Sequence, residues 1–226
     1  MSVLNILFVG SDDVARSIAK KSDSRDVDNY VYKDLKEDGT FSTISILRPN
    51  NYPEKPKPFF TSLTVSDFGI IEVNKVDAAF GEVIVSMACA GINDGLIIIN
   101  PSEGEWVDDS QVKTLVEQAG LSDWKFIEND GVTVREKLIG VLNQIEAKDE
   151  NGFVVAVDQA FTVKGVGLVA VGHVQSGRVN KHDDVVFAGS DGNAIARSLQ
   201  VMDLDVEVAN VGDRVGLALR TTGDFR

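Results

Sequence analysis

The segment Gly10-Ser-Asp-Asp-Val-Ala-Arg-Ser17 follows an apolar run and opens a polar one, where backbone N–H groups can turn toward a phosphate. A complete phosphate cradle has the spacing Gly-x-x-x-x-Gly-Lys-Ser/Thr. Its glycines let the backbone wrap the oxygens, its lysine reaches the outer phosphates, and its hydroxyl holds magnesium. Here Gly10 and Ser17 stand at the ends of that spacing, but Ala15 and Arg16 occupy the inner Gly and Lys positions. Ala15 places a Cβ where backbone must approach phosphate, and the planar guanidinium of Arg16 does not replace an ammonium in a tight cradle. The ordinary alternative is that Asp12 or Asp13 caps a helix on which Arg16 and Ser17 are surface residues. Other chemistry is sparse. His173 and His182 have no Cys partner at metal-ligand spacing and no Ser-His-Asp set. Cys89, between Ala88 and Ala90, reads as a buried small apolar residue.

The 226 residues, 43% of them hydrophobic, suffice for one large or two small domains. A net charge of -13 opposes broad contact with nucleic-acid phosphates. Lys20-Lys21 with Lys55 and Lys57 is the densest basic group and reads as a solvated face. The chain has no apolar run of membrane-spanning length, the N-terminus lacks a basic n-region, and a single cysteine suits a reducing compartment. A cytoplasmic protein without a membrane partner is expected.

The elements that must position these residues alternate in the first half. Residues 3–9 form an apolar run that predicts a buried strand, followed by a helix from Asp12 or Asp13 to about Lys21. Short strands are expected at 30–32 and 41–46, and a Pro-rich connection from Pro49 to Pro58. Residues 59–65 and 70–76, flanking 66–69, read as a hairpin. Helices at 80–90, 108–120 and 133–145 alternate with strands at 95–100 and 124–127. This is an α/β pattern around a mostly parallel sheet, in a domain of residues 1–147, with the boundary in the polar segment 146–152.

The remainder, 152–226, alternates every second residue between Gly-Asp, Ser-Gly and Asp-Gly turns, the pattern of a small closed antiparallel sheet. It reads Phe161-Thr-Val-Lys-Gly-Val-Gly-Leu-Val-Ala-Val-Gly-His-Val-Gln-Ser-Gly177 and ends Val211-Gly-Asp-Arg-Val-Gly-Leu-Ala-Leu219. These motifs resemble the second domain of translational GTPases such as elongation factor Tu and the selenocysteine-specific elongation factor. His173 departs from that pattern, standing where the family has Arg. The resemblance implies an elongation-factor β-barrel behind a reduced P-loop GTPase-like domain. It implies that Gly10, Asp13, Arg16, Ser17 and Asp77 are remnants of a site for GTP or GDP with magnesium.

The resemblance also shows what has changed. The family's Asp-x-x-Gly-His falls on Asp77 to Gly81, so Phe80 stands for the glycine that meets the γ-phosphate and Gly81 for the water-orienting His. Asn74-Lys75-Val76-Asp77 spells the guanine-reading motif but lies before this landmark, in the wrong order. Between the helices ending near Gly120 and starting near Thr133 only one strand fits, as if a strand-helix unit carrying the guanine site were deleted. The expected protein is therefore an elongation-factor-like scaffold in protein synthesis with an inactive GTPase domain, no catalytic residue and no obligatory cofactor. Its expected partners are the ribosome or translation-factor proteins, with tRNA a further candidate, bound through the barrel. Two alternatives stay open: a divergent factor that binds and hydrolyses GTP, and an interaction module unrelated to the ribosome.

Overall fold

The computed structural model describes residues 2–35, 41–104, 106–144, 152–189 and 192–222. Contacts divide the chain into residues 1–145 and 146–226. Of the expected boundary segment, 146–151 lie outside the described residues.

In the first unit the chain runs β1 (Ser2–Val9), α1 (Asp12–Ile18), β2 (Lys20–Ser24), β3 (Val27–Leu35), β4 (Phe41–Pro49), α2 (Pro56–Leu63), β5 (Phe68–Val73), α3 (Ala78–Cys89), β6 (Gly95–Ile99), α4 (Asp109–Gln118), β7 (Lys125–Ile127) and α5 (Gly131–Leu142). The seven strands line up as β2-β3-β4-β1-β5-β6-β7. From β4 to β7 all pairs are parallel, while β2 and β3 extend the sheet antiparallel. Because successive side chains on a strand face opposite ways, β1 feeds two cores. Leu4, Ile6 and Phe8 pack with Val14, Ile18, Val134 and Leu138 from α1 and α5. Leu7 packs with Phe59, Phe80, Val83 and Val112 from α2, α3 and α4. Each such side chain removed from water contributes roughly 1.5–3 kcal/mol before the entropy of ordering it is counted.

The second unit holds β8 (Phe153–Val163), β9 (Gly167–Asn180), β10 (Asp184–Val186), β11 (Asn193–Val201), β12 (Leu204–Val206), β13 (Val208–Asn210) and β14 (Arg214–Thr222). Every described element of 153–219 is a strand and every pair is antiparallel. The long strand β9 organises the sheet, taking β8, β14 and β13 as partners. Gly177 makes the β8–β9 approach possible: at φ +64°, a Cβ there would lie 1.7 Å from the Gly152 carbonyl oxygen. Val174, Val179, Leu199, Val215 and Leu217 form the core.

Four expectations fail locally. Helix α1 ends at Ile18, and the stretch expected to stay helical to Lys21 enters β2 because it pairs with β3 (Lys20↔Val31). The strands expected at 30–32 and 41–46 are the longer β3 and β4, in register from Val27↔Pro49 to Leu35↔Phe41. The expected hairpin at 59–76 does not form. Its first arm is in helix α2, where Pro56 starts the helix and Phe59, Ser62 and Leu63 are buried at helical spacing. A proline taken as a breaker is here a helix starter. Cys89 is exposed rather than buried, because α3 turns Val83, Ile84 and Met87 to the core.

Candidate functional site

Strand β1 has β4 on one side and β5 on the other, and α1 and α2 lie in different cores on opposite faces. Its carboxyl end is thus the switch point of the sheet, the crevice where open α/β folds bind ligands. The loop Gly10-Ser11 lies there. Ser11 caps α1, its Oγ accepting from the Val14 N–H at 3.3 Å.

One donor of this loop is already engaged. The Ser11 N–H donates to Oε2 of Glu72, at 2.5 Å. Glu72 lies on β5 and is only 5% exposed. Its other oxygen accepts from the side-chain amides of Asn100 at 2.6 Å and Asn74 at 3.3 Å. A Cβ on Gly10 would sit 2.7 Å from both the Glu72 Cβ and Oε2 and 2.8 Å from the Phe8 ring. Glycine is required here by the close approach of an internal carboxylate, with no bound phosphate needed to explain it. An oxyanion at this loop would have to share the Ser11 N–H with the Glu72 carboxylate.

An ionic network continues the loop outward. The Arg48 Nε donates to the Gly10 carbonyl at 2.7 Å, and its Nη1 to Asp28 at 3.2 Å and Asn50 at 2.7 Å. Asp28 is buried and also accepts from Lys21 at 2.7 Å and Ser24 at 2.7 Å. Burial alone would raise its carboxyl, but Lys21, Ser24 and Asn50 together hold it below the usual carboxylate value. Asp12 accepts from the Tyr30 hydroxyl at 2.5 Å, from Lys21 at 2.9 Å and from the Arg16 guanidinium. Those three donors, Tyr30 first, hold Asp12 far down. Burial and the Asp12 bond push the Tyr30 phenol up to about 12.

Of the residues nominated from sequence, Gly10 is in this loop and Arg16 is tied to Asp12 on its own helix. Asp13 is exposed, and Ala15 belongs to the core. The Ser17 hydroxyl donates to the Val14 carbonyl at 2.7 Å, and the Ser17 carbonyl accepts from Arg135 at 2.9 Å. Asp77 is the N-cap of α3, accepting from the Phe80 N–H at 3.0 Å and pairing with Lys75 at 2.9 Å. Lys75 and then the Phe80 N–H lower its carboxyl. The Phe80 side chain is a core residue beneath α3, and Gly81 borders open space. Among the described residues no three His, Cys, Asp or Glu side chains are placed to hold a metal ion, and no helix is long and apolar enough to cross a membrane.

In the second unit, His173 is 5% exposed with its Nε2 unpartnered, opposite Arg214 in the β9–β14 ladder. Burial, reinforced by the Arg214 charge, pulls its imidazole down to about 4. Arg214 in turn bonds Asp158 at 2.9 Å.

Sequence reading missed Glu72, Arg48, Asp28, Lys21 and Tyr30 as neighbours of the loop. One signal was available. Glu72 is a lone charge inside Phe68-Gly-Ile-Ile-Glu-Val73, a strand buried along its whole length, and a buried charge demands partners.

No family model matches the chain. An uncharacterised protein of Methanocaldococcus jannaschii is 33% identical over 215 residues, which is 95% of this chain and 66% of that protein. The selenocysteine-specific elongation factor of Escherichia coli is 31% identical over 121 residues, 51% of this chain and 19% of that protein. Elongation factor 1-alpha of Halobacterium salinarum is 26% identical over 177 residues, 76% of this chain and 41% of that protein. The chain therefore spans 66% or less of the length of each of these relatives. The fold is shared with solved structures of elongation factors, of which two serve as examples. Translation elongation factor SelB from Methanococcus maripaludis, in complex with the GTP analogue GPPNHP, has a TM-score of 0.73 at 20% identity, covering 97% of this chain and 52% of that one. A bacterial selenocysteine-specific elongation factor, EF-Sec, has a TM-score of 0.74 at 18% identity, covering 96% of this chain and 42% of that one.

Proposed function

We propose that this chain, which belongs to the translational GTPase-like family, is an elongation-factor-like binding scaffold of protein synthesis whose nucleotide site does not turn over GTP. The observation that carries the reading is the Glu72 carboxylate on the Ser11 N–H, at the place where a phosphate-binding loop would present its donors. The surrounding residues agree. Arg16 is committed to Asp12, Ser17 to a carbonyl of its own helix, and Asp77 to capping α3. Gly10, Asp13, Arg16, Ser17 and Asp77 are read as vestiges of a nucleotide site. Phe80 has been absorbed into the core, and Gly81 has no side chain to orient a water. The two units are read as separate domains joined within 146–152, the second an elongation-factor barrel that meets the translation apparatus.

Titration of the full chain with a fluorescent GTP analogue and magnesium tests this, alongside phosphate release with and without ribosomes. The expected result is no saturable binding up to millimolar nucleotide and no ribosome-stimulated release. Turnover comparable to that of ordinary elongation factors would establish a divergent GTP-hydrolysing factor instead. Co-sedimentation with ribosomes tests the scaffold role, and its absence would favour an interaction module of another kind.

A further inference from the structure

Strand β8 is an open edge of the second unit. Among the described residues it pairs with β9 alone, and β9 carries β14 on its other side. Residues 159–163 pair with residues 167–171 of β9 in unbroken register, after a bulge that skips Asp158. Ala160 lies opposite Ala170, and Thr162 opposite Leu168, on the side of the core. Ala170 is 1% exposed, yet Ala160 and Thr162 are exposed, so the margin of the core is uncovered along this edge. Phe161 lies opposite Val169 on the other face and is 46% exposed.

An unpaired edge offers its backbone N–H and C=O groups to a further strand, and proteins guard such edges with lysine, proline or inward charge. Residues 159–163, Gln-Ala-Phe-Thr-Val, carry none of these. The stretch is complementary to itself. With the two strands antiparallel about a two-fold axis at Phe161, Phe161 faces the partner's Phe161. Ala160 then faces the partner's Thr162, and Gln159 the partner's Val163. No charge meets its like, and an aromatic pair directly opposite is favourable. The same register carries Lys164 of each copy toward the partner's Asp158. Lys164 is exposed and makes no ion pair among the described residues. Asp158 bonds Arg214 through its Oδ2, so the approaching lysine extends an existing pair. The net charge of -13 opposes association, but screening over about 8 Å at physiological salt confines that repulsion.

We propose that the chain forms a two-fold symmetric dimer by antiparallel pairing of β8 with β8 of a second copy, centred on Phe161. The dimer rests on the second unit and stands or falls separately from the nucleotide titration.

The test is sedimentation equilibrium of the full chain at about 0.15 M salt, loaded from about 5 to about 300 µM. The contact is short, in the class below about 1,200 Å², so the expected Kd is about 10–100 µM. Phe161→Lys and Phe161→Glu each set like charges opposite and should raise the Kd at least about tenfold. Their equimolar mixture sets Lys against Glu and should associate at least about fivefold more tightly than either variant alone. Val186→Lys changes a 70% exposed residue on β10, another edge of the same sheet. It should leave the Kd within about twofold. Unchanged far-UV circular dichroism confirms that each variant is folded. A parent chain monomeric over the whole range would overturn the proposal and leave the edge to a strand of another protein. A mixture no tighter than the separate variants, or an equal loss in Val186→Lys, would overturn it as well.

Discussion

Replacing Glu72 by Gln tests whether its charge organises the β1–α1 loop. The carboxylate accepts three hydrogen bonds, from the Ser11 N–H and the side-chain amides of Asn74 and Asn100. Glutamine keeps the volume but turns one acceptor oxygen into an NH2 group. Every neighbour on the carboxylate is a donor, so at least one donor must then face another donor. A hydrogen bond to a charged group contributes roughly 1.5–3 kcal/mol, and a buried donor left unpaired costs about 1–3 kcal/mol. The expected loss is about 2–4 kcal/mol, which lowers the urea midpoint by about 1–2 M for an m-value of about 2 kcal/mol/M. The assay has a built-in domain selector. Both tryptophans lie in the first unit. Trp124 is 4% exposed, with its indole N–H on the Ile92 carbonyl, while Trp106 is 80% exposed. The emission shift on unfolding therefore reports Trp124 and the first unit. A Glu72→Gln midpoint indistinguishable from that of the parent chain would refute the reasoning.

Two further predictions concern the second unit, followed by far-UV circular dichroism. The folded His173 imidazole is pulled down to about 4, below the ordinary value of about 6.5, so below that value the unfolded chain binds more protons than the folded one. Stability is therefore lost as pH falls from about 6.5 toward 4, by up to about 3 kcal/mol at about 1.4 kcal/mol per pK unit. His173→Gln should remove that loss. Burial raises the Asp213 carboxyl, a contribution of opposite sign, so the difference between variant and parent is the quantity to measure. An identical pH dependence in the two proteins would count against a buried neutral His173. Gly177→Ala should destabilise the sheet by more than about 3 kcal/mol, since φ is +64° and its Cβ would meet the Gly152 oxygen at 1.7 Å. Gly216→Ala, whose Cβ would find its nearest atoms at 3.9 Å, should cost no more than about 1 kcal/mol. Equal effects of the two substitutions would contradict the close-approach argument.

What the sequence by itself determined were features written over a few neighbouring residues. The apolar runs at β1 and β6 are long enough to be buried on both faces and not long enough to span a membrane. Asp108 precedes a helix as its side-chain cap, and Gly120 follows that helix at φ +91°. Strict alternation with Gly-containing turns made every described element of 153–219 a strand. Such signals act through local sterics and local hydrogen bonds, and they survive without knowledge of the fold. Residues 56–63 show the limit: Phe59, Thr61 and Leu63 alternate like a strand, while Phe59, Ser62 and Leu63 repeat like a helix. Only packing against Leu7 and Val83 decided between the two. The loop and the contacts of Arg135 were decided entirely by tertiary structure. Glu72 meets Ser11 across 61 positions, and Arg135 reaches Ile18 across 117. A buried charge must find partners in a medium that solvates it poorly, and which partners it finds depends on which strands become neighbours. Here β5 lies beside β1, so a carboxylate sits at the mouth of the loop. Likewise β2 folds back on β3 beside α5, which brings Arg135 onto the Tyr32 ring and the Ser17 and Ile18 carbonyls.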